Sequence, residues 1–198
     1  MSKLFLIMGK SASGKDTLYK DIVARFGDEL GTVVPYTTRP IREGEQEGVE
    51  YHFITEAKMH ELDDSGKVIE KRCYQTVYGP WYYLTADDGQ IDLGRRSSIL
   101  IVTPAAYGKL RNYFGAEHVV PLYVETEDGL RLARALKRER AQKHPKYEEM
   151  CRRFLADAED FSEEKLFELG IERRFTNDQY DRVLKELCEV IKKESGDA

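Results

Sequence analysis

A chain of 198 residues suits one domain with room for inserted lobes, and 41 % apolar residues are enough for a sizeable core. Charged residues reach 34 % but the net charge is only −5, so no basic excess points to nucleic acid, and no apolar run is long enough to span a membrane. Cys73, Cys151 and Cys188 are widely spaced without a disulfide or zinc pattern, and Met1-Ser2-Lys3 runs straight into an apolar segment with no cleavage-site pattern; reduced thiols in a cytoplasmic protein are expected.

The first predicted element is a buried strand, Leu4-Phe5-Leu6-Ile7-Met8. Gly9-Lys10-Ser11-Ala12-Ser13-Gly14-Lys15 follows it directly. Leu18, Ile22 and Phe26 then recur at four-residue spacing, one face of a helix that Gly27 stops. Strand, glycine loop and helix in this order are the signal of a phosphate-binding P-loop. Gly9 and Gly14 let the backbone turn with its N–H groups inward, and Lys15 sits where its charge and the helix dipole both favour phosphate. Gly9, Ser11, Ala12, Ser13, Gly14, Lys15, Asp16 and Thr17 are therefore the candidate residues around the donor phosphates. The residue after the lysine of such a loop is normally Ser or Thr and binds magnesium; here it is Asp16, followed by Thr17. A carboxylate can hold magnesium as a hard oxygen ligand, or can serve as a negative charge on a helix N-terminus.

The stretch from about Tyr36 to Ala86 is rich in Glu, Arg, Tyr and Gly and reads as an inserted lobe with short, alternating strands. Within it, Arg39 and Arg42 stand three residues apart beside Thr37 and Thr38, with Tyr51 further on. Two guanidinium forks so placed can converge on one phosphate. Further on, Ser98-Ile99-Leu100-Ile101-Val102 predicts a strand, and Thr103-Pro104 an N-cap and first-turn proline of a helix that stops near Gly115. Val119 to Val124 is another strand, and Thr126-Glu127-Asp128 caps the next helix with acids in its first turn. Arg174-Phe175-Thr176 is a short last strand, and Asn177-Asp178 starts a final helix with Val183, Leu184, Leu187, Val190 and Ile191 on its core face. Strands alternating with helices imply a parallel sheet covered on both sides, with ligands beyond the C-terminal ends of its strands.

On these residues the chain resembles the guanylate kinase family over nearly its whole length. The family's acceptor signature is matched by Thr37, Thr38, Arg39, Arg42, Gly44, Glu45, Gly48, Tyr51 and Phe53. Val68-Ile69-Glu70 resembles the motif whose glutamate reads the guanine edge, Tyr78-Gly79 the pair whose phenol touches the acceptor phosphate, and Asn177-Asp178 the pair lining the adenine pocket. The resemblance implies one domain: an α/β, P-loop NTPase-type parallel sheet flanked by helices (1–35, 87–136 and 154–198), an inserted acceptor lobe (36–86) and a helical lid (about 137–153). It implies ATP on the P-loop with Mg²⁺ at Asp16 and Thr17, GMP held by Thr38, Arg39, Arg42, Tyr51, Glu70 and Tyr78, and phosphoryl transfer from ATP to GMP, with no nucleic-acid or membrane partner. The catalytic set is then Lys15, Arg39 and the lid arginines, for which Arg134 or Arg138, and Arg153 before Phe154, fit best.

The match has departures. Val34-Pro35 stands where the family has a serine near the base, Pro80 where it has Ser or Thr, and Ile101 and Thr103 where it has the two acids of an Asp-x-Asp pattern. Glu70 remains to accept from guanine's N1–H and amino group. The alternatives are a kinase of the same fold with a different or broader nucleotide acceptor, and a non-catalytic binding module of the family. Such modules tend to lose the P-loop, which this chain keeps at Gly9, Gly14 and Lys15.

Overall fold

The computed structural model describes residues 1–42, 44–76 and 78–196. The chain runs β1 (Leu4–Met8), α1 (Lys15–Phe26), β2 (Gly31–Thr32), β3 (Tyr36–Thr37), β4 (His52–Phe53), α2 (Glu56–Asp64), β5 (Val68–Thr76), β6 (Gly79–Ala86), β7 (Ser98–Ile101), α3 (Pro104–Phe114), β8 (Val119–Glu125), α4 (Asp128–Arg140), α5 (Tyr147–Asp160), α6 (Glu163–Glu168), β9 (Arg174–Thr176) and α7 (Tyr180–Ser195). β2, β7, β1, β8 and β9 form one parallel sheet in that order, with β1 at its centre.

The continuous apolar run of β1 follows from its position. Successive side chains of a strand point to opposite faces, and both faces here are covered. Phe5 and Ile7 enter a core with Leu18, Ile22 and Phe26 of α1 and Val183, Leu184, Leu187 and Ile191 of α7. Leu4, Leu6 and Met8 enter the core on the other face, with Tyr107 and Leu110 of α3, Phe161 and Leu166. Because β1 is central, the loop that leaves its end is anchored by both cores at once.

Residues 36–86 build a second, four-stranded sheet in the order β4-β3-β6-β5. Its strands are not all short: β5 and β6 run nine and eight residues and pair as an antiparallel hairpin. Alternation alone under-read them because most of their side chains are half-buried rather than strictly in or out. The register slips between Val68 and Glu70, so Ile69 is an extra residue that re-aims Glu70 inward. The lobe is tied to the core where its two connections meet: the Val34 N–H donates to Gln90 Oε1 (2.8 Å), and the Tyr36 hydroxyl donates to Asp88 (2.6 Å).

Local signals account for most helix starts. Thr103 caps α3 by accepting from the Ala106 N–H, with Pro104 in the first turn. Glu127 caps α4 by accepting from the N–H groups of Gly129 and Leu130. The final helix departs from expectation. Asn177 and Asp178 precede it, Gln179 is its cap and Tyr180 its first residue, because the Asn177 side chain is spent on the P-loop instead. No helix among the described residues is long and apolar enough to cross a membrane.

Candidate active site

The glycine loop lies at the C-terminal end of β1, between β1 and α1. Gly9 admits no side chain: a Cβ there would lie 2.5 Å from the Val124 carbonyl oxygen and 2.7 Å from Ser13 Oγ. Gly14 has φ of 91° and a Cβ on it would meet Asn177 Nδ2 at 2.5 Å. Ala12 is the one non-glycine residue with positive φ (62°) among the described residues. The loop is braced from behind. Asn177 Nδ2 and the Thr126 hydroxyl both donate to the Ser13 carbonyl, at 2.8 and 3.0 Å, and both side chains are buried.

A second brace comes from α4 and α5. Asp157 accepts a hydrogen bond from the Ser11 N–H at 2.6 Å. Arg131, fully buried, donates to the Ser11 carbonyl at 2.9 Å and to Asp128 at 2.8 and 3.0 Å, approaches Asp157 at 3.5 Å, and lies over the Phe154 ring. The shape of the loop is thus set by three later segments of the chain.

At the front of the loop, Lys15 Nζ donates to Asp16 at 3.1 Å. Partial desolvation against the loop pushes the pKa of the exposed Asp16 carboxyl up, but the Lys15 charge and hydrogen bond, its own backbone N–H and the Arg138 charge outweigh that, and the net shift is downward. Asp16 therefore stays ionised, and it is a single hard oxygen donor of the kind Mg²⁺ takes alongside phosphate oxygens. Thr17 instead faces a cavity of about 350 Å³ that it lines with Gly14, Arg134, Asn177, Asp178 and Tyr180.

In the lobe, Arg39 is buried and grips Glu45 through both terminal nitrogens (2.8 Å each), over the rings of Tyr51 and Phe53. Glu45 also accepts from the Arg42 N–H at 2.8 Å. Burial pushes the Glu45 carboxyl up, but the Arg39 bonds and the Arg42 N–H bring it below its usual range. Arg39 Nε is buried without a partner among the described residues. The Thr37 and Thr38 hydroxyls bond to the backbone of Tyr82, so both are engaged in holding β3 to β6. Tyr51 packs edge-on against Tyr83. Tyr78 is not packed with them: it is 70 % exposed at the hairpin tip, stacked on Trp81, with Lys146 of the α4–α5 connection over its ring.

Positive charge gathers between loop and lobe. Arg153 Nε is buried without a hydrogen-bond partner among the described residues, 3.8 Å from Glu149 Oε1, and its pKa is pushed down by burial and then by the charges of Arg42 and Arg138. Among the described residues, none of Arg42, Arg134 and Arg138 has a carboxylate within 4.0 Å, whereas Arg152 is neutralised by Glu149 at 2.8 Å. Arg134 adjoins Gly14 and Arg138 acts on Asp16. Lys15, Arg42, Arg138 and Arg153 thus gather in one region, where Lys15 pairs with Asp16 (3.1 Å) and Arg153 lies 3.8 Å from Glu149, while Arg42 and Arg138 have no carboxylate within 4.0 Å among the described residues.

Glu70 is the residue whose surroundings sequence reasoning missed. Arg72, two residues on and therefore on the same face of β5, donates to it through Nε (3.0 Å) and Nη2 (3.2 Å). The Thr85 hydroxyl donates to it as well (3.0 Å), and Arg72 Nη1 donates to the Thr103 hydroxyl (2.9 Å). Spacing i, i+2 on a strand was the available signal for Arg72. Nothing local signals Asp157 beneath Ser11.

A glycine loop after the central strand of a parallel sheet, with a second sheet inserted beyond it, defines a P-loop α/β protein with an added lobe. The Guanylate kinase family model matches residues 1–194, and the chain belongs to the guanylate kinase family. It is 40 % identical over 78 residues to a guanylate kinase of Schizosaccharomyces pombe, covering 39 % of each chain. It is likewise 40 % identical over 77 residues to one of Campylobacter jejuni strain RM1221, covering 38 % of each. The matched segment thus spans about two-fifths of the length of these relatives. The fold is that of a guanylate kinase from Anaplasma phagocytophilum, with a TM-score of 0.69 over 98 % of this chain and 86 % of that one, at 18 % identity.

Proposed function

We propose that the protein transfers the γ-phosphoryl group of ATP to GMP. The carrying observation is the cluster of cations Lys15, Arg42, Arg138 and Arg153 between a P-loop and the acceptor lobe, of which Arg42 and Arg138 have no carboxylate within 4.0 Å among the described residues. A phosphate oxygen of the acceptor attacks the γ-phosphorus in line; the new P–O bond forms as the bond to the β-phosphate oxygen breaks, and ADP leaves. Charge spreads over the transferred group, so the protein's task is to position and to neutralise. Lys15 and the loop N–H groups hold the β- and γ-phosphates, and Arg138 and Arg153 meet the charge that develops between them. Arg42 and Tyr51 hold the acceptor phosphate, with Arg39, paired to Glu45 over the Tyr51 ring, beside them. Alignment of two bound reactants contributes on the order of 7–11 kcal/mol.

Asp16 would hold a magnesium ion that enters with ATP, and such an ion supplies charge neutralisation at the β,γ-oxygens. Residues 1–35, 87–136 and 154–198 act as the core, 36–86 as the acceptor lobe and about 137–153 as a lid whose closure excludes water. The three unpaired thiols favour a cytoplasmic setting. The test is ADP release with GMP, dGMP, AMP, CMP and UMP as acceptors. GMP is expected to give the highest kcat/KM; turnover with GMP no better than with the others would refute the assignment.

A further inference from the structure

The carboxylate that the family resemblance assigns to the base, Glu70, is already occupied. Glu70 Oε1 accepts from Arg72 Nη2 and from the Thr85 hydroxyl, and Oε2 accepts from Arg72 Nε. Its side chain is fully buried, whereas that of Arg72 is 18 % exposed. An incoming base therefore meets the guanidinium before the carboxylate. A carboxylate offers about four acceptor sites. Three are filled, so too few remain for both the N1–H and the amino group of guanine.

Arg72 itself has capacity left. Of its five N–H groups, Nε–H and one on Nη2 go to Glu70 and one on Nη1 goes to Thr103. One N–H remains on each terminal nitrogen. The pair fits two adjacent acceptors, as guanidinium groups fit the O6 and N7 of a purine. Thr103 holds the far side: its hydroxyl accepts from Arg72 and also from the Ala106 N–H at the start of α3. Glu70, Thr85 and Thr103 thus fix the fork from three sides. Pro35 and Pro80 offer no hydroxyl to a base oxygen, so a donor at this end has to come from elsewhere.

We propose that Arg72 reads the acceptor base by donating to the O6 and N7 atoms of a 6-oxopurine, and that Glu70 is a positioning residue for Arg72. This rests on the reading of the lobe as a nucleoside monophosphate site. The 2-amino group of guanine then has no partner to lose, because discrimination follows the groups that a site is built to bond.

The experiment compares GMP, IMP, 7-deaza-GMP and AMP on the wild-type protein, by ADP release and by calorimetric binding. Arg72 recognition predicts kcat/KM for IMP within about threefold of GMP, a drop of about tenfold for 7-deaza-GMP and of about a hundredfold for AMP. Arg72→Ala frees Glu70, so GMP should then exceed IMP by about tenfold or more; should this variant not fold, the wild-type series decides alone. Glu70→Gln should weaken GMP and IMP together and leave their ratio near one. A wild-type preference for GMP over IMP above about tenfold that collapses in Glu70→Gln would overturn the proposal, as would equal use of AMP. The binding order GMP ≈ IMP > 7-deaza-GMP > AMP without ADP formation would retire phosphoryl transfer and keep Arg72 as the reader. Turnover with no order among the four would do the reverse.

Discussion

Ala12 holds a left-handed backbone (φ 62°) that costs an L-residue about 1–2 kcal/mol. The cost is borne because the loop around it is over-determined by Gly9, Gly14, Ser13 and the braces on the Ser11 and Ser13 carbonyls. Asp16 is the residue on which the proposed magnesium site turns. If it binds magnesium, Asp16→Ala should raise the Mg²⁺ concentration for half-maximal rate about tenfold, the loss of roughly 1.4 kcal/mol. Calorimetry should show the same loss in the benefit of Mg²⁺ to ATP binding. Magnesium dependence unchanged in both Asp16→Ala and Asp16→Ser would leave Asp16 as a charge on the N-terminus of α1.

Between elements, the contact that matters most is α5 against the P-loop. Asp157 on α5 accepts from the Ser11 N–H, and Arg131 on α4 joins the two. The helix that carries Arg153 is therefore fastened to the loop that precedes Lys15. Asp157→Ala should lower stability by about 1.5–3 kcal/mol, the scale of a hydrogen bond to a charged group. Urea denaturation reads this directly, with Asp157→Asn losing less because it keeps an acceptor. A change below about 0.5 kcal/mol would mean that the Ser11 contact carries no weight. In the lobe, the long β5–β6 hairpin performs a similar service: its bulge turns Glu70 inward and lines it up with Thr85.

Across the whole molecule, buried phenols set the alkaline limit. Tyr19 and Tyr123 are pushed up to about 12 by burial, and Tyr36 and Tyr180 reach about 12 by burial together with bonds to Asp88 and Asp21. A raised pKa means that the folded state keeps a proton that the unfolded chain loses from about pH 10. Their contribution is thus complete below pH 10 and is lost as pH rises through about 12. A well-buried phenol such as Tyr123 contributes a slope of up to about 1.4 kcal/mol per pH unit in that window. Urea midpoints at pH 8, 10 and 11 should fall only in the last interval; level midpoints would show that these phenols ionise alike in both states.

The sequence by itself determined what short-range patterns encode. The P-loop was legible because strand, glycines and helix are contiguous, and Thr103-Pro104 because a cap and its proline are neighbours. Arg39 and Arg42 stood out because the signature they belong to lies within eighteen residues, Tyr36 to Phe53. The resemblance supplied Glu70 as a base reader, but only the tertiary structure set Arg72, Thr85 and Thr103 around its carboxylate. It alone brought Asn177 beneath Ser13 and Asp157 beneath Ser11, and drew Asn177 out of the final helix. The reason is physical. Caps and glycine turns are satisfied within a few residues, whereas a buried charge takes its partners from whichever segments the packed sheets place beside it.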